Sequence, residues 1–395
     1  MINVVFFSCY RKIVALTFIL SNFVNKNSRF DNTTMENSSS SSLGLNKSTA
    51  PYLNDDYMIV VNDKYADFRK QAEFAFFIVS IALSPVTIVG NLMVHISMYK
   101  FRNLRTVTNM FIGSLALADC FLGFVVLPYY ALFYIDSTFG RYKYLCLMKY
   151  STSLASMSGS LYSLVAISVD RYIAILHPLR YPIIMTRKKA KIIISGIWIY
   201  HVIICGIPSA GWNNYDKYNG KVCDFFKTLP LVYTIVSCPG TILVSLIVSM
   251  YFYRQIYNVA AHQLKKRKHR VQSNSNLQLR KDTRSAQAMG IILFFFFIFW
   301  APFMLSSPLK YLDIPTNLSE TIKNFGVIIA MSNSAVNPFM YCWLRKDFRR
   351  AFKSILCSYC LGNSSADIRR YPGVTDSAAS VTKSAANPSN VNVHI

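Results

Sequence analysis

Seven long apolar runs alternate with short polar, charge-bearing segments along this chain. They are Phe74–Tyr99, Val107–Ile135, Tyr144–Val169, Ile192–Trp212, Leu229–Tyr253, Ala286–Leu309 and Asn324–Leu344. About 20 apolar residues suffice to cross a bilayer as a helix. The runs are continuous and lack the in–out alternation of a membrane barrel strand. In lipid, every backbone polar group has to be bonded internally. The pattern therefore predicts an all-α membrane protein, a seven-transmembrane helix bundle over residues 71–357. It would lie between an N-terminal tail, residues 1–70, and a C-terminal tail, residues 358–395.

Composition agrees. The chain is 53% hydrophobic and only 15% charged, with 28 Phe and 25 Tyr, too little charge to cover a soluble domain of 395 residues. The net charge of +24 would ordinarily suggest a nucleic-acid partner, but its distribution does not. Lys100, Arg102 and Arg105 follow the first run. Arg180 and Arg187–Lys191 follow the third, Lys265–Arg284 the fifth, and Arg345–Lys353 the seventh. Basic loops face the cytosol. That asymmetry predicts a multi-pass plasma-membrane protein with its N-terminus outside and its C-terminus inside. Anionic membrane lipid is a sufficient partner for the charge, and no nucleic acid is needed.

At the N-terminus, the short apolar stretch Ile13–Val24 follows Arg11 and Lys12. It reads either as a signal-peptide core or as part of an unstructured tail. Asn32, Asn37 and Asn46 each open an Asn-x-Ser/Thr sequon on the predicted outer side, where glycosylation is expected. Residues from about Gly362 are rich in Ser, Ala and Asn without apolar periodicity, the composition of a disordered tail. Of nine cysteines, Cys146 and Cys223 fall on the outer, oxidising side and are expected to form a disulfide. Cys357 and Cys360 follow the amphipathic basic segment Arg345–Leu356 beside the membrane, a setting for palmitoylation.

Polar residues inside the runs carry the candidate chemistry. Asp119 is expensive in lipid and is a functional candidate by default. Asn91, Ser160, Asn333, Ser334 and Asn337 are potential partners from other runs. Such a cluster of oxygens either binds a small hard cation such as sodium or holds only water. Arg171 lies roughly 16 Å beyond Ser160 along a helix of 1.5 Å rise. Asp282, at the foot of the sixth run, either pairs with Arg171 across the bundle or merely offsets its basic neighbours. Pro302 and Pro338 each remove a helix hydrogen bond. Phe296 and Trp300 beside Pro302 form either a rotor at a kink or ordinary aromatic packing.

Taken in order, these residues give the chain its resemblance to the rhodopsin-like (class A) G-protein-coupled receptors over about residues 71–357. They are Gly90-Asn91, Leu115-Ala-Leu-Ala-Asp119, Asp170-Arg171-Tyr172, Trp198, Phe296 with Trp300-Ala-Pro302, Asn337-Pro338-x-x-Tyr341 and the Cys146/Cys223 pair. The resemblance implies a ligand-driven activator of heterotrimeric G proteins, regulated by arrestin and receptor kinases. It implies an Arg171-centred inner face shared by Asp170, Tyr172, Asp282, Asn337, Pro338 and Tyr341. A helix-six switch at Phe296, Trp300 and Pro302, a sodium site at Asp119 and Ser160, and an amphipathic eighth helix also follow from it. In span five the alignment is ambiguous. Aligning on Pro239 leaves Ile247 where the family has a tyrosine, whereas aligning on Tyr253 leaves Ser245 at the proline position.

The expected ligand pocket consists of Lys149, Ser153, Leu154, Met157, Phe225, Phe303, Met304, Ser307 and Met331. Ser153 stands where amine receptors carry an aspartate, so a simple amine would lack its counter-ion. Met331 stands where opsins carry the retinal lysine. The second outer loop and Phe225 look similar to adenosine receptors, but Ser307 and Met331 replace their purine-binding residues. Lys149 either snorkels to the interface or anchors an anionic ligand, as a basic residue does in related lipid receptors. The expectation is a small-molecule receptor. The competing readings are a transporter, for which matched broken halves are lacking, and a non-signalling binder. No nucleophile, base or metal constellation suggests an enzyme.

Overall fold

In the computed structural model, residues 52–218, 223–266, 274–306 and 316–360 are described. For residues 52–67, 137, 218, 260–266, 274–281, 316–317 and 357–360, the backbone alone is described. Residues 1–61 form a unit of their own by contacts, of which only the helical backbone from Tyr52 is described. Residues 62–395 form the second unit, which holds the helix bundle.

Eight principal helices carry the fold. They are α1 (Tyr52–Lys100), α2 (Val107–Ile135), α3 (Lys143–Leu176), α4 (Arg187–Gly206), α5 (Leu231–Ile235 continuing through Thr241–Lys266), α6 (Asn274–Ser306), α7 (Thr316–Leu344) and α8 (Lys346–Cys360). Helix α1 starts well before the apolar run at Phe74, inside the stretch expected to be tail. Helix α4 stops before Trp212, because Pro208 cannot continue it and the chain turns over Ile207–Gly211. Gly211 makes that turn with φ of +123°, a conformation that disfavours any side chain.

Among the described residues, six helices are long and apolar enough to cross a membrane. The seventh, α7, is diluted by Asn333, Ser334 and Asn337, which are all buried within the bundle. The outward faces are apolar instead. On α5, Ile247 and Met250 are 60% and 65% exposed, a surface suited to acyl chains rather than water. The protein is thus a multi-pass membrane protein.

Two helices widen at prolines. In α2 a π turn, Leu122–Val126, ends just before Leu127-Pro128, and in α5 a π turn, Val236–Gly240, contains Pro239. Proline lacks an N–H and its ring collides with the carbonyl four residues back. A π turn is one way a helix absorbs both. Thr241 donates to the Val236 carbonyl both through its backbone N–H and through Oγ1, the latter at 3.0 Å. At Gly240 a Cβ would come within 2.9 Å of the Ile235 carbonyl oxygen, so glycine suits the bulge.

Close helix approach is also set by glycine. At Gly326 of α7, a Cβ would lie 2.8 Å from the backbone N and Cα of Phe303 in α6. Helix α3 is the central strut, packing on α2, α4, α5 and α6. Helix α8 buries Phe348, Ala351, Phe352 and Ile355 on one face, the amphipathic pattern expected beyond Leu344.

Candidate functional site

Three polar centres lie along the bundle, and α3 contributes to each. At one end, Cys146 at the start of α3 is bonded to Cys223, with an S–S distance of 2.03 Å. The disulfide holds the segment from Cys223 over a cavity of about 710 Å³. Tyr150 reinforces the fold-back, its hydroxyl donating to the Cys223 carbonyl at 2.9 Å while its ring meets Phe225 edge-on. Asp224 caps the short helix Phe225–Thr228 through the N–H groups of Phe226 and Lys227. Its other oxygen takes Lys323 of α7 at 2.8 Å. Lys323 also bonds Glu320. Burial alone would raise the Asp224 carboxyl, but the Lys323 ammonium outweighs it and holds the group below its ordinary value.

Lys149, Ser153, Leu154, Met157, Phe225, Phe303 and Met331 all line this cavity, with Trp300 beside them. Met304 does not line it and instead packs half-buried against the core. Ser307 lies outside the described residues. The Ser153 hydroxyl donates to the Lys149 carbonyl at 2.6 Å. Lys149 turns its ammonium inward, 4.8 Å from the Tyr130 ring centre and 4.5 Å from that of Phe133. Beneath, Trp300 stacks on Phe296 at 5.8 Å and 22° and meets Phe303 edge-on, two residues before Pro302.

The middle centre is Asp119, fully buried. Its carboxylate accepts Ser160 Oγ at 3.1 Å and Asn337 Nδ2 at 2.7 Å. Asn91 Nδ2 donates to the Ser334 carbonyl at 3.0 Å, leaving its Oδ1 buried without a partner. Asn333 is buried on the same helix as Ser334. The Asp119 carboxylate and the Ser160 hydroxyl on it offer oxygen donors of the kind a small hard cation takes. Trp198 of α4 ties to this region through Ser114, with Nε1 to Oγ at 3.2 Å.

At the opposite end, Asp170 and Arg171 are both buried. Arg171 Nη2 reaches Asp170 Oδ2 at 2.8 Å, and Nη1 reaches Asp282 Oδ1 of α6 at 3.3 Å. Thr108 donates to Asp170 Oδ2 at 2.7 Å, and Tyr181 donates to Oδ1 at 2.9 Å. Burial and the Asp170 charge push the Tyr181 phenol up to about 12, so it stays a donor. Tyr172 points away from the cluster and packs on Phe252. Tyr341 is completely buried, its ring on Phe348 and its hydroxyl unpartnered, and Pro338 sits against Gly90.

Sequence reasoning missed Thr108 and Tyr181, since neither carries a motif signal and only the fold brings them to Asp170. Tyr253 is a different case. Its ring packs against Gly290 of α6 with the hydroxyl buried, whereas Ile247 faces outward. The alignment on Tyr253 therefore describes the inward face of α5. Asn32, Asn37 and Asn46 lie outside the described residues, as does the tail beyond Cys360. Cys357 and Cys360 lie on the α8 backbone.

A bundle of seven long helices, a roofed cavity at one end and a buried arginine linking two helices at the other define a membrane protein of the seven-helix receptor class. The chain belongs to the 7 transmembrane receptor (rhodopsin family), whose model matches residues 90–341. That family is one of receptors rather than enzymes. Among its relatives is the alpha-1A adrenergic receptor of Oryzias latipes, 30% identical over 306 residues. The match covers 69% of this chain but 65% of that receptor, just under two thirds of its length. The octopamine receptor beta-2R of Chilo suppressalis is 28% identical, covering 71% of this chain and 80% of the relative. The histamine H2 receptor of Rattus norvegicus is 29% identical, covering 73% and 81%.

Proposed function

We propose that this protein is a plasma-membrane G-protein-coupled receptor with its N-terminus outside and its C-terminus in the cytosol. It binds a small molecule in the cavity beneath the Cys146–Cys223 loop and promotes nucleotide exchange on heterotrimeric G proteins at the Arg171 face. The observation that carries this reading is the link from Arg171 of α3 to Asp282 of α6. It joins the two helices at the end opposite the cavity. Releasing it would open a cleft between them for a partner. Trp300 touches the cavity and stacks on Phe296, so a ligand pressing on Trp300 biases α6 at Pro302.

Asp119 and Ser160 would hold a sodium ion, which supplies positive charge between α2, α3 and α7 and favours the packed arrangement. Arrestin and receptor kinases would engage the cytosolic face and tail. Anionic lipid would meet the basic loops, palmitate would anchor α8 at Cys357 and Cys360, and the sequons at Asn32, Asn37 and Asn46 would carry glycans.

A second reading of the ligand, an amine, rests on the printed names of the adrenergic, octopamine and histamine receptors. It needs a carboxylate free to take a cation. Helix α3 offers Ser153, and the cavity acids are engaged, Asp224 and Glu320 by Lys323 and Glu73 by Arg69. We favour a ligand other than a simple amine.

The test is ligand-panel activation of each G-protein class in cells, comparing the intact chain with Arg171→Ala at equal surface expression. Activation that disappears in the variant supports the receptor reading. Activation that persists unchanged in the variant would remove Arg171 from the mechanism. Ligand binding or substrate flux without activation would favour a binder or a transporter.

A further inference from the structure

Lys149 is a cation turned into the bundle without an anion. Its ammonium sits among three aromatic rings, 4.8 Å from the centre of Tyr130, 4.5 Å from Phe133 and 5.6 Å from Tyr150. Ring faces attract the charge, but an ammonium also has three N–H groups to place. Among the described residues no carboxylate lies within ion-pair distance of it. The acids that line the same cavity are committed elsewhere: Glu73 pairs with Arg69 at 2.9 Å, and Asp224 and Glu320 both pair with Lys323.

A second donor stands nearby. Tyr134 lines the cavity and is almost fully covered, yet its hydroxyl has no hydrogen-bond partner. Its ring lies 6.2 Å from that of Tyr130, the ring under Lys149. The charged side chains lining the cavity are five basic and three acidic. An unpaired ammonium and an unpaired hydroxyl in one positive enclosure share one complement, an oxygen anion. The wall beyond them is apolar, formed by Leu154, Met157, Phe303 and Trp300. The volume of about 710 Å³ suits a small organic ligand.

We propose that this cavity binds an amphiphile by its oxyanion, a carboxylate or phosphate held by the Lys149 ammonium and the Tyr134 hydroxyl. Its apolar body extends toward Trp300. The proposal rests on the receptor reading above, since it names the ligand class for the same cavity. The headgroup can come from a soluble acid or from a lipid, and the test separates the two.

The full chain is purified in lipid nanodiscs and its thermal stability followed with two probe sets. The soluble set is indole-3-acetate, indole-3-acetamide and tryptamine, which differ in charge on one ring. The lipid set is oleoyl lysophosphatidate and monooleoylglycerol. At least one acid is expected to stabilise the wild type at a concentration tenfold or more below its neutral counterpart. Lys149→Gln removes that preference, Lys149→Arg keeps most of it, and Tyr134→Phe weakens it several-fold. Which acid succeeds identifies the source. Neutral probes equal to the acids, identical titrations of wild type and Lys149→Gln (including no response from either), or tryptamine as the strongest probe would each overturn the proposal.

Basal nucleotide exchange on the same preparations reads the receptor assignment separately. Exchange present in the wild type and lost in Arg171→Ala, with no acid preference, defeats the anion proposal and leaves the receptor. Wild-type exchange no faster than without receptor, even with the preferred probe, defeats the receptor reading, and exchange indifferent to Arg171→Ala removes Arg171 from the mechanism.

Discussion

Arg171 Nη1 of α3 lies 3.3 Å from Asp282 Oδ1 of α6, while the same guanidinium bonds Asp170 through Nε and Nη2. One arginine is thus shared between a buried neighbour in its own helix and a partly exposed carboxylate in another. The two bonds differ in how easily they break. Asp170 is fully buried and also accepts Thr108 and Tyr181, whereas the Asp282 side chain is 23% exposed. Separation of α3 from α6 therefore begins at Asp282.

Replacing Asp282 by Asn should raise ligand-free activity. A partly exposed ion pair contributes on the order of 1 kcal/mol, which is about a fivefold shift in a two-state balance. Basal nucleotide exchange on purified G protein should rise by about that factor, without a matching loss of folded receptor.

Gly326→Ala should destabilise the contact between α6 and α7. The new Cβ meets the Phe303 backbone at 2.8 Å and the Pro302 carbonyl carbon at 3.1 Å, and backbone yields less readily than a side-chain tip. Overpacking of this kind costs about 1–3 kcal/mol. A fall of several degrees in the midpoint of thermal unfolding is expected. A companion Gly196→Ala change, where nothing lies within 4 Å, should leave it unchanged or slightly raised.

The Asp224–Lys323 pair makes a prediction about pH. The Asp224 carboxyl titrates below its ordinary 3.8 in the folded protein, so the unfolded chain binds the proton more readily. The pair's contribution is then fully present above about pH 4, the unfolded value. It is lost only as the pH falls through the lower folded value. Between pH 8 and 5 the Asp224→Asn variant should be less stable than wild type by a constant amount, about 2 kcal/mol for a charged hydrogen bond. The two thermal midpoints should converge only in stronger acid.

Sodium should stabilise the wild type relative to choline at equal ionic strength, and Asp119→Asn should abolish the difference. The carboxylate supplies the charge beside the Ser160 hydroxyl. Thermal unfolding in NaCl against choline chloride measures it. An identical sodium response in the variant would leave Asp119 a purely structural group.

Most of the architecture is legible because membrane helices announce themselves by local composition. The run from Val107 to Ile135 and the helix α2 coincide, since a continuous apolar stretch in lipid has no other way to bond its backbone. Boundaries are less legible. Helix α1 begins at Tyr52 rather than Phe74 and α6 at Asn274 rather than Ala286, because beyond the hydrocarbon a helix can continue through polar residues. Prolines at 128, 239 and 302 are visible in the sequence. Whether each produces a π turn or a plain helical break depends on how the neighbouring backbone can widen.

Seven spans, their order, the disulfide cysteines and the standing of Asp119 and Arg171 as polar residues in apolar surroundings can all be read from the chain alone. Those signals are local, since each reflects the cost of placing a residue type in lipid. Which polar atoms meet is settled only by folding. It brings Thr108 and Tyr181 to Asp170, carries Asp282 across to Arg171, and turns Tyr253 inward with Ile247 outward. It also places Lys149 among aromatic rings, with Asp224 and Glu320 both taken by Lys323. Those choices depend on the rotation and depth of one helix against another, set by close contacts such as Gly326 on Phe303 and Gly90 on Pro338. Such contacts join residues far apart in the chain, and no run of neighbouring residues encodes them.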